Sequence, residues 1–97
     1  TPGVIAGLEN SGFCDEGTSL WWIQNGRIDI GGELPVNVNG GETSATYMVG
    51  WQNTCDAVRQ LRNEAEDRSR QIPDVEIIQC TYTGTHLEHA GAIILRK

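Results

Sequence analysis

The arrangement of this chain follows most directly from residues 51–80, which read WQNTCDAVRQLRNEAEDRSRQIPDVEIIQC. Apolar side chains recur there at spacings of three and four, which is the pattern of an amphipathic helix; they are Cys55, Val58, Leu61 and Ala65. The pattern predicts a helix over about residues 51–70, with Asn53 or Thr54 as its N-cap. Pro73 forbids continuation, because proline lacks the N–H and its ring clashes with the preceding turn.

Strands are predicted on both sides of this helix. Residues 75–80 and 91–95 are rich in isoleucine, and the apolar run Ala92–Leu95 is typical of a strand covered on both faces. A brief strand at residues 36–39 precedes the helix. A strand–helix–strand passage predicts a right-handed crossover and a parallel pair, with the last strand returning antiparallel. The predicted fold class is therefore α/β, with a mixed sheet of about three main strands.

The N-terminal half predicts a second helix and a small hairpin. Residues 2–11 place Val4, Ile5 and Leu8 on one side, and Gly12 stands where helices commonly end. Residues 20–30 then read LWWIQNGRIDI, in which the dipeptide Asn-Gly separates two short apolar segments. This is the pattern of two short strands joined by a tight turn.

The predicted elements do not make a complete fold. Three strands, one helical layer and uncovered sheet edges leave much of the apolar surface without a partner, and the first helix has nothing before it to pack against. The chain is therefore expected to form one partial domain over residues 1–97, completed by polypeptide outside it.

Charge and cysteine content narrow the class of function. Seven basic residues against thirteen acidic ones, a net charge of −6, make nucleic acid an unexpected partner. The longest apolar runs are far below the roughly 20 residues of a membrane span. Three widely spaced cysteines without a C-x-x-C pair predict a reducing, cytoplasmic location. No cluster of cysteines and histidines has the spacing of a zinc site, so no metal site is expected.

Four segments carry a family resemblance; they are Gly12–Cys14, Gly26–Asn37, the pair Gly40-Gly41, and Ala57–Arg62. Together they resemble the C-terminal part of thiolase-superfamily proteins, most closely the lipid-transfer-protein-like, or sterol-carrier-type, thiolases. The resemblance implies a complete fold of two similar halves packed back to back. A coenzyme A thioester is expected to bind between the halves as substrate, with no other cofactor. The resemblance implies that this chain supplies the last part of the second half, and that the remaining thiolase-like polypeptide is its partner.

The resemblance also singles out a tyrosine. In ordinary thiolases the glycine pair is followed, four residues later, by Gly-His-Pro, whose histidine helps to activate a cysteine. Here the matching residues are Thr46-Tyr47-Met48. A phenol with a pKa near 10 is a poor base toward a thiol, which speaks against thiolysis. A branch of steroid side-chain aldolases is similar in having tyrosine in this loop, and those proteins work with a zinc-binding OB-fold partner. The resemblance implies retro-aldol cleavage of a β-hydroxyacyl-CoA with Tyr47 as acid/base.

The other candidate site residues leave alternatives open. Asn39, Gly40 and Gly41 are expected beside the thioester, although glycines in such a bend also serve backbone geometry. Cys80 lies near the second catalytic cysteine of ordinary thiolases, so it is either the acid of an acyltransferase or an inert buried thiol. His86, in a polar loop, is a further catalytic candidate. A third possibility is a non-catalytic subunit that completes a thiolase-like partner, with Tyr47 merely packed in the core.

Overall fold

The computed structural model describes residues 2–41, 48, 50–83 and 90–97. The helices are α1 (Pro2–Asn10), α2 (Ser19–Trp22) and α3 (Trp51–Leu61), followed by a 3₁₀ turn at Arg68–Arg70; the strands are β1 (Ile77–Thr83) and β2 (Ala90–Arg96). Among the described residues the sheet has two strands, β1 and β2, which pair antiparallel. Both predicted C-terminal strands and the N-terminal helix are thereby confirmed.

Helix α1 ends where its glycine predicts. Gly12 adopts a left-handed φ of 75°. Its N–H donates to the carbonyl of Glu9 at 3.0 Å, and the N–H of Phe13 donates to that of Leu8 at 2.9 Å. These two bonds are the Schellman motif, which satisfies the last carbonyls of a helix and favours glycine at the left-handed position.

The predicted hairpin at residues 20–30 is wrong, because Ser19–Trp22 forms the short helix α2. The carboxylate of Glu9 accepts hydrogen bonds from the backbone N–H of Ser19, at 3.1 Å, and from its hydroxyl. This contact, from a residue ten positions upstream, satisfies a free backbone N–H at the start of α2. It outweighs the strand preference of the aromatic side chains. Asn25 and Gly26 do take the left-handed conformation of a tight turn, but the turn joins a helix to a loop.

The contact between α1 and α2 makes stability depend on pH. Hydrogen bonds from Ser19, then from the Gly17 backbone, lower the pKa of Glu9 from its ordinary value of 4.5. A carboxyl whose folded-state pKa is depressed stabilises the fold above its unfolded pKa and loses that contribution as pH falls through the folded value. We expect Glu9→Gln to flatten the pH dependence of the urea midpoint below about pH 5. Unfolding curves from pH 3 to 6 measure this, and a variant curve parallel to that of the wild type would contradict it.

The strand predicted at residues 36–39 does not form, so three main strands and the parallel crossover are not seen in the described part of the chain. Asn37 has a left-handed φ of 49°. Its carbonyl accepts the N–H of Gly40 at 2.9 Å, which closes a turn in place of a strand. Asparagine tolerates the left-handed region and interrupts the extended backbone that a strand requires.

Helix α3 is shorter than predicted and is capped differently. Gly50, with φ 87°, occupies the N-cap position, and no side chain caps the helix there, so the prediction of Asn53 or Thr54 as N-cap is wrong. The helix ends at Leu61 instead of residue 70. Asn63 takes a φ of 60° and closes a second Schellman motif, in which Glu64 donates to the carbonyl of Arg59 at 2.8 Å.

A buried glutamine holds the chain that follows α3. Gln60 is 2% exposed, and its Nε2 donates to the carbonyl of Arg70 at 2.9 Å. Its Oε1 accepts the backbone N–H of Ile72 at 2.9 Å and the Nε2 of Gln71 at 3.1 Å. Because a buried amide is costly unless it is bonded, this network fixes the path of residues 62–72 back toward the sheet. Ala65 is consequently buried although it lies outside the helix.

Helix α3 lies against one face of β1. Cys80 belongs to this face together with Tyr82, whose hydroxyl is hydrogen-bonded to Thr54 of α3. The buried apolar residues of the described chain are Leu8, Ala57, Leu61, Ala65 and Cys80. On the opposite face, Nε2 of Gln79 donates to the hydroxyl of Ser11 at 2.8 Å, just beyond α1. Strand β2 is almost entirely exposed, with Ile94 at 68%, so the predicted covering of Ala92–Leu95 on both faces is not seen in the described part of the chain.

No helix among the described residues combines the length and apolar character needed to cross a membrane. The cytoplasmic location stays a prediction.

Candidate functional site

Two of the predicted catalytic residues, Tyr47 and His86, lie outside the described residues. The others can be located. Asn39, Gly40 and Gly41 lie in the bend that leads toward α3, and Cys80 lies in the middle of β1. The candidate site is therefore built here from three elements: this glycine bend, the first turn of α3 and the α3-facing side of β1.

The glycine bend is held by its own hydrogen bonds. Gly40 and Gly41 have φ values of 88° and 81°, which L side chains rarely adopt. The side chain Oδ1 of Asn39 accepts the backbone N–H of Gly41 at 2.9 Å. This bond is of the kind by which asparagine stabilises a turn. The two glycines are thus required by the backbone, and contact with a substrate stays a prediction.

Asn39 also connects the bend to α3. Its Nδ2 donates to Oδ1 of Asn53 at 2.9 Å, and both groups are partly buried. Asn53 therefore does not cap its own helix but holds the glycine bend beside the first turn. Sequence analysis missed this role, because a link between residues fourteen positions apart has no local pattern.

The start of α3 is also tied to the residue that follows Tyr47. The backbone N–H of Trp51 donates to the carbonyl of Met48 at 3.3 Å. Helix α3 has no acidic residue in its first turn. Such a helix end favours negative charge near it.

Cys80 is a buried thiol, 8% exposed. Burial raises its pKa above the ordinary value of 9.0; hydrogen bonding from Tyr82 opposes this rise, and the charge of Asp56 adds to it. A thiol in this environment stays protonated at neutral pH. It is accordingly unsuited to act as a thiolate nucleophile, while a role as proton donor is chemically possible.

Tyr82 is a residue that sequence analysis did not select. It lies two positions after Cys80 on the same face of β1, and its hydroxyl is hydrogen-bonded to the hydroxyl of Thr54. The ring of Tyr82 lies against Gly50, where a side chain would collide with it. The start of α3 is therefore held from two directions, by Asn39 and by Tyr82.

A groove among the described residues lies elsewhere. It has a volume of about 530 Å³ and is lined by residues of 21–33, among them Trp21, Trp22, Arg27 and Glu33. The guanidinium of Arg27 lies 4.9 Å from the ring centre of Trp22 and 3.0 Å from the carboxylate of Glu33. None of the described site residues, Asn39, Gly40, Gly41 and Cys80, lines this groove.

Comparison with known proteins agrees with the family resemblance. A family model described as thiolase C-terminal domain-like matches residues 1–97. Over 94 residues, 97% of this chain, the sequence is 34% identical to the 17-hydroxy-3-oxo-4-pregnene-20-carboxyl-CoA lyase of Mycobacterium tuberculosis. Over the same length it is 32% identical to the steroid side-chain-cleaving aldolase of Thermomonospora curvata.

The chain spans 23% of the length of each of these two proteins. The similarity extends over nearly all of this sequence, including the glycine bend, α3 and both strands, and the family model leaves no residue of it unmatched. The chain therefore belongs to the thiolase C-terminal domain-like family.

Proposed function

We propose that this chain is the C-terminal part of a thiolase-fold lyase that cleaves a carbon–carbon bond of a β-hydroxyacyl-CoA by a retro-aldol step. The observation that carries the proposal is the similarity, across 97% of the chain, to two proteins named as a carboxyl-CoA lyase and as a side-chain-cleaving aldolase. One of those names describes a hydroxylated substrate joined to CoA. A steroid side-chain thioester is therefore the first substrate to test.

The reaction requires no covalent bond to the enzyme. A base removes the proton of the β-hydroxyl, the bond between the α and β carbons breaks, and a carbonyl forms at the β carbon. The electron pair passes to the α carbon as a thioester enolate, which a proton then quenches to give a shortened acyl-CoA. Such a step requires a group for proton transfer at oxygen and carbon, and fixed donors that stabilise the enolate.

Tyr47 is the residue that we assign to proton transfer. It directly precedes Met48, whose carbonyl is bonded to the first residue of α3. The first turn of α3 carries no acidic residue, and the N-terminal end of a helix favours negative charge near it, which supports a phenolate as the base. Asn39, Gly40 and Gly41 are proposed to approach the thioester from the bend that Asn53 holds beside this helix.

The rest of the fold is proposed to cover β2. Ile93 and Ile94 are 46% and 68% exposed, and Trp21 and Trp51 are 75% and 67% exposed. Apolar surface of this extent is normally buried against another polypeptide. Preceding thiolase-like polypeptide is the first candidate, because the relatives are about four times as long as this chain. A zinc-binding OB-fold protein is proposed as a further partner of the complete assembly.

Two alternatives remain testable beside this proposal. The chain could belong to an acyltransferase in which the protonated thiol of Cys80 acts as acid, which its burial permits. In the acyltransferase and in the retro-aldol reaction alike, His86 is proposed as a further residue that carries a proton. The chain could also complete a thiolase-like partner without contributing a catalytic group.

Dependence on free CoA separates the two reactions. We expect the complete assembly that contains this chain to convert a β-hydroxyacyl-CoA into a carbonyl product and a shortened acyl-CoA at a rate independent of added CoA. Chromatography of the acyl-CoA species, with and without free CoA, measures this. Thiolysis is tested in parallel with the corresponding β-ketoacyl-CoA, because a β-hydroxyacyl-CoA would first need an oxidant. Cleavage of the β-ketoacyl-CoA that consumes free CoA and gives two acyl-CoA products would instead establish thiolysis. The variant Cys80→Ser is the control, because it abolishes only a reaction that uses the thiol.

A further inference from the structure

The entry to α3 has a backbone geometry that depends on a neighbouring ring. Gly50 is buried and serves as the N-cap with φ 87° and ψ −18°. A side chain at this position would run into the ring of Tyr82. The ring therefore packs directly on the backbone, which is possible only because residue 50 is glycine.

A threonine joins this ring to the helix. The hydroxyl of Thr54 donates to the carbonyl of Gly50 at 3.2 Å and is also hydrogen-bonded to the hydroxyl of Tyr82. The same carbonyl accepts the backbone N–H of Thr54 at 3.2 Å. Strand β1 and the first turn of α3 are thus connected both by packing and by a shared hydroxyl pair.

This connection reaches the residue next to Tyr47. Trp51, the first residue of α3, donates its N–H to the carbonyl of Met48. Gly50 and Thr54 therefore attach the first turn of α3 to β1, and Trp51 joins this turn to Met48. Met48 is the residue that follows Tyr47 in the sequence.

We propose that Tyr82 is a positioning residue of the candidate site: its ring supports Gly50 and its hydroxyl holds Thr54, which together fix the first turn of α3. The inference rests on the proposed function for its kinetic consequence, because Tyr47 is assigned to proton transfer only there. Tyr82 itself need not touch substrate. Its role is to keep a neighbouring group in the geometry that the reaction requires.

The test is kinetic and uses the complete assembly with a β-hydroxyacyl-CoA. We expect Tyr82→Phe, which keeps the ring and removes the hydroxyl, to lower kcat about tenfold and leave KM within about twofold. Thr54→Val removes this bond together with the one from the Thr54 hydroxyl to the carbonyl of Gly50, so its loss should be at least as large. The double variant should be no worse than Thr54→Val alone, because the bond between the two hydroxyls is already removed there. Thr81→Val, on the other face of β1, is the matched control and should not change kcat.

An amide exchange measurement keeps the inference separate from the proposed function. In Tyr82→Phe we expect exchange of the Trp51 amide, which is bonded to Met48, to be about tenfold faster than in the wild type. If the wild-type assembly does not cleave the carbon–carbon bond, the proposed function is overturned. The exchange rate of the Trp51 amide then decides by itself whether Tyr82 has the positioning role. Unchanged exchange, an unchanged kcat in an active assembly, or additive losses in the double variant would overturn the positioning role.

Discussion

Replacing Tyr47 with phenylalanine should lower kcat/KM for retro-aldol cleavage by about a thousandfold, within the range of losses typical when a general acid/base is removed. The substitution removes one hydroxyl and keeps the ring, so substrate binding should persist and KM should stay within about twofold. Steady-state assays of the complete assembly with a β-hydroxyacyl-CoA measure both constants. The loss should appear in kcat, because proton transfer is made only in the transition state.

The matched control is the other tyrosine of the chain. Tyr82→Phe deletes the same hydroxyl from a residue that we assign to positioning, and its expected loss is about tenfold. A Tyr47→Phe variant that retains wild-type turnover would remove Tyr47 from the mechanism. The non-catalytic alternative would then be favoured, because a subunit that only completes its partner tolerates this change.

The second large effect is expected on stability. Gly50→Ala should lower the free energy of unfolding by about 2–4 kcal/mol, because it combines a strained left-handed backbone with a collision against the Tyr82 ring. Urea unfolding of the wild type and the variant under identical conditions measures the difference.

A second glycine separates the two causes. Gly31 has a φ of 86°, nearly equal to the 87° of Gly50, but a side chain there would meet open space. Gly31→Ala should therefore cost only the backbone strain, about 1 kcal/mol. Equal losses at the two positions would contradict the close contact with Tyr82. Adding Tyr82→Ala to Gly50→Ala removes the obstacle and should make the cost of the glycine substitution resemble that at Gly31.

The elements that sequence analysis predicted correctly are those with strong local signals. Gly12 ends α1 because the left-handed position of a Schellman motif favours glycine, and the signal lies within the motif itself. The isoleucine-rich segments near 75–80 and 91–95 form β1 and β2 because such side chains suit extended backbone. The family resemblance likewise rests on contiguous segments, which a single chain displays in full.

The errors in predicted secondary structure occur where a contact from a distant residue, or a weak local preference, determines the backbone conformation. Residues 20–23 look like a strand, yet a carboxylate ten positions upstream satisfies the start of a helix there. The apolar stripe of α3 includes Ala65, which is indeed buried, but it is reached after Asn63 has already ended the helix. The stripe therefore predicted the burial of Leu61 and Ala65 correctly, whereas Cys55 is exposed and the helix is shorter than predicted.

The sequence alone was enough to predict the two C-terminal strands, from their local composition, and the thiolase-like family, from the resemblance of contiguous motifs. The tertiary structure alone revealed that Asn53 holds Asn39, that Tyr82 lies on Gly50, and that β2 is exposed. Contacts between residues far apart along a chain arise only when helix and strand pack together, and no spacing in the sequence encodes them.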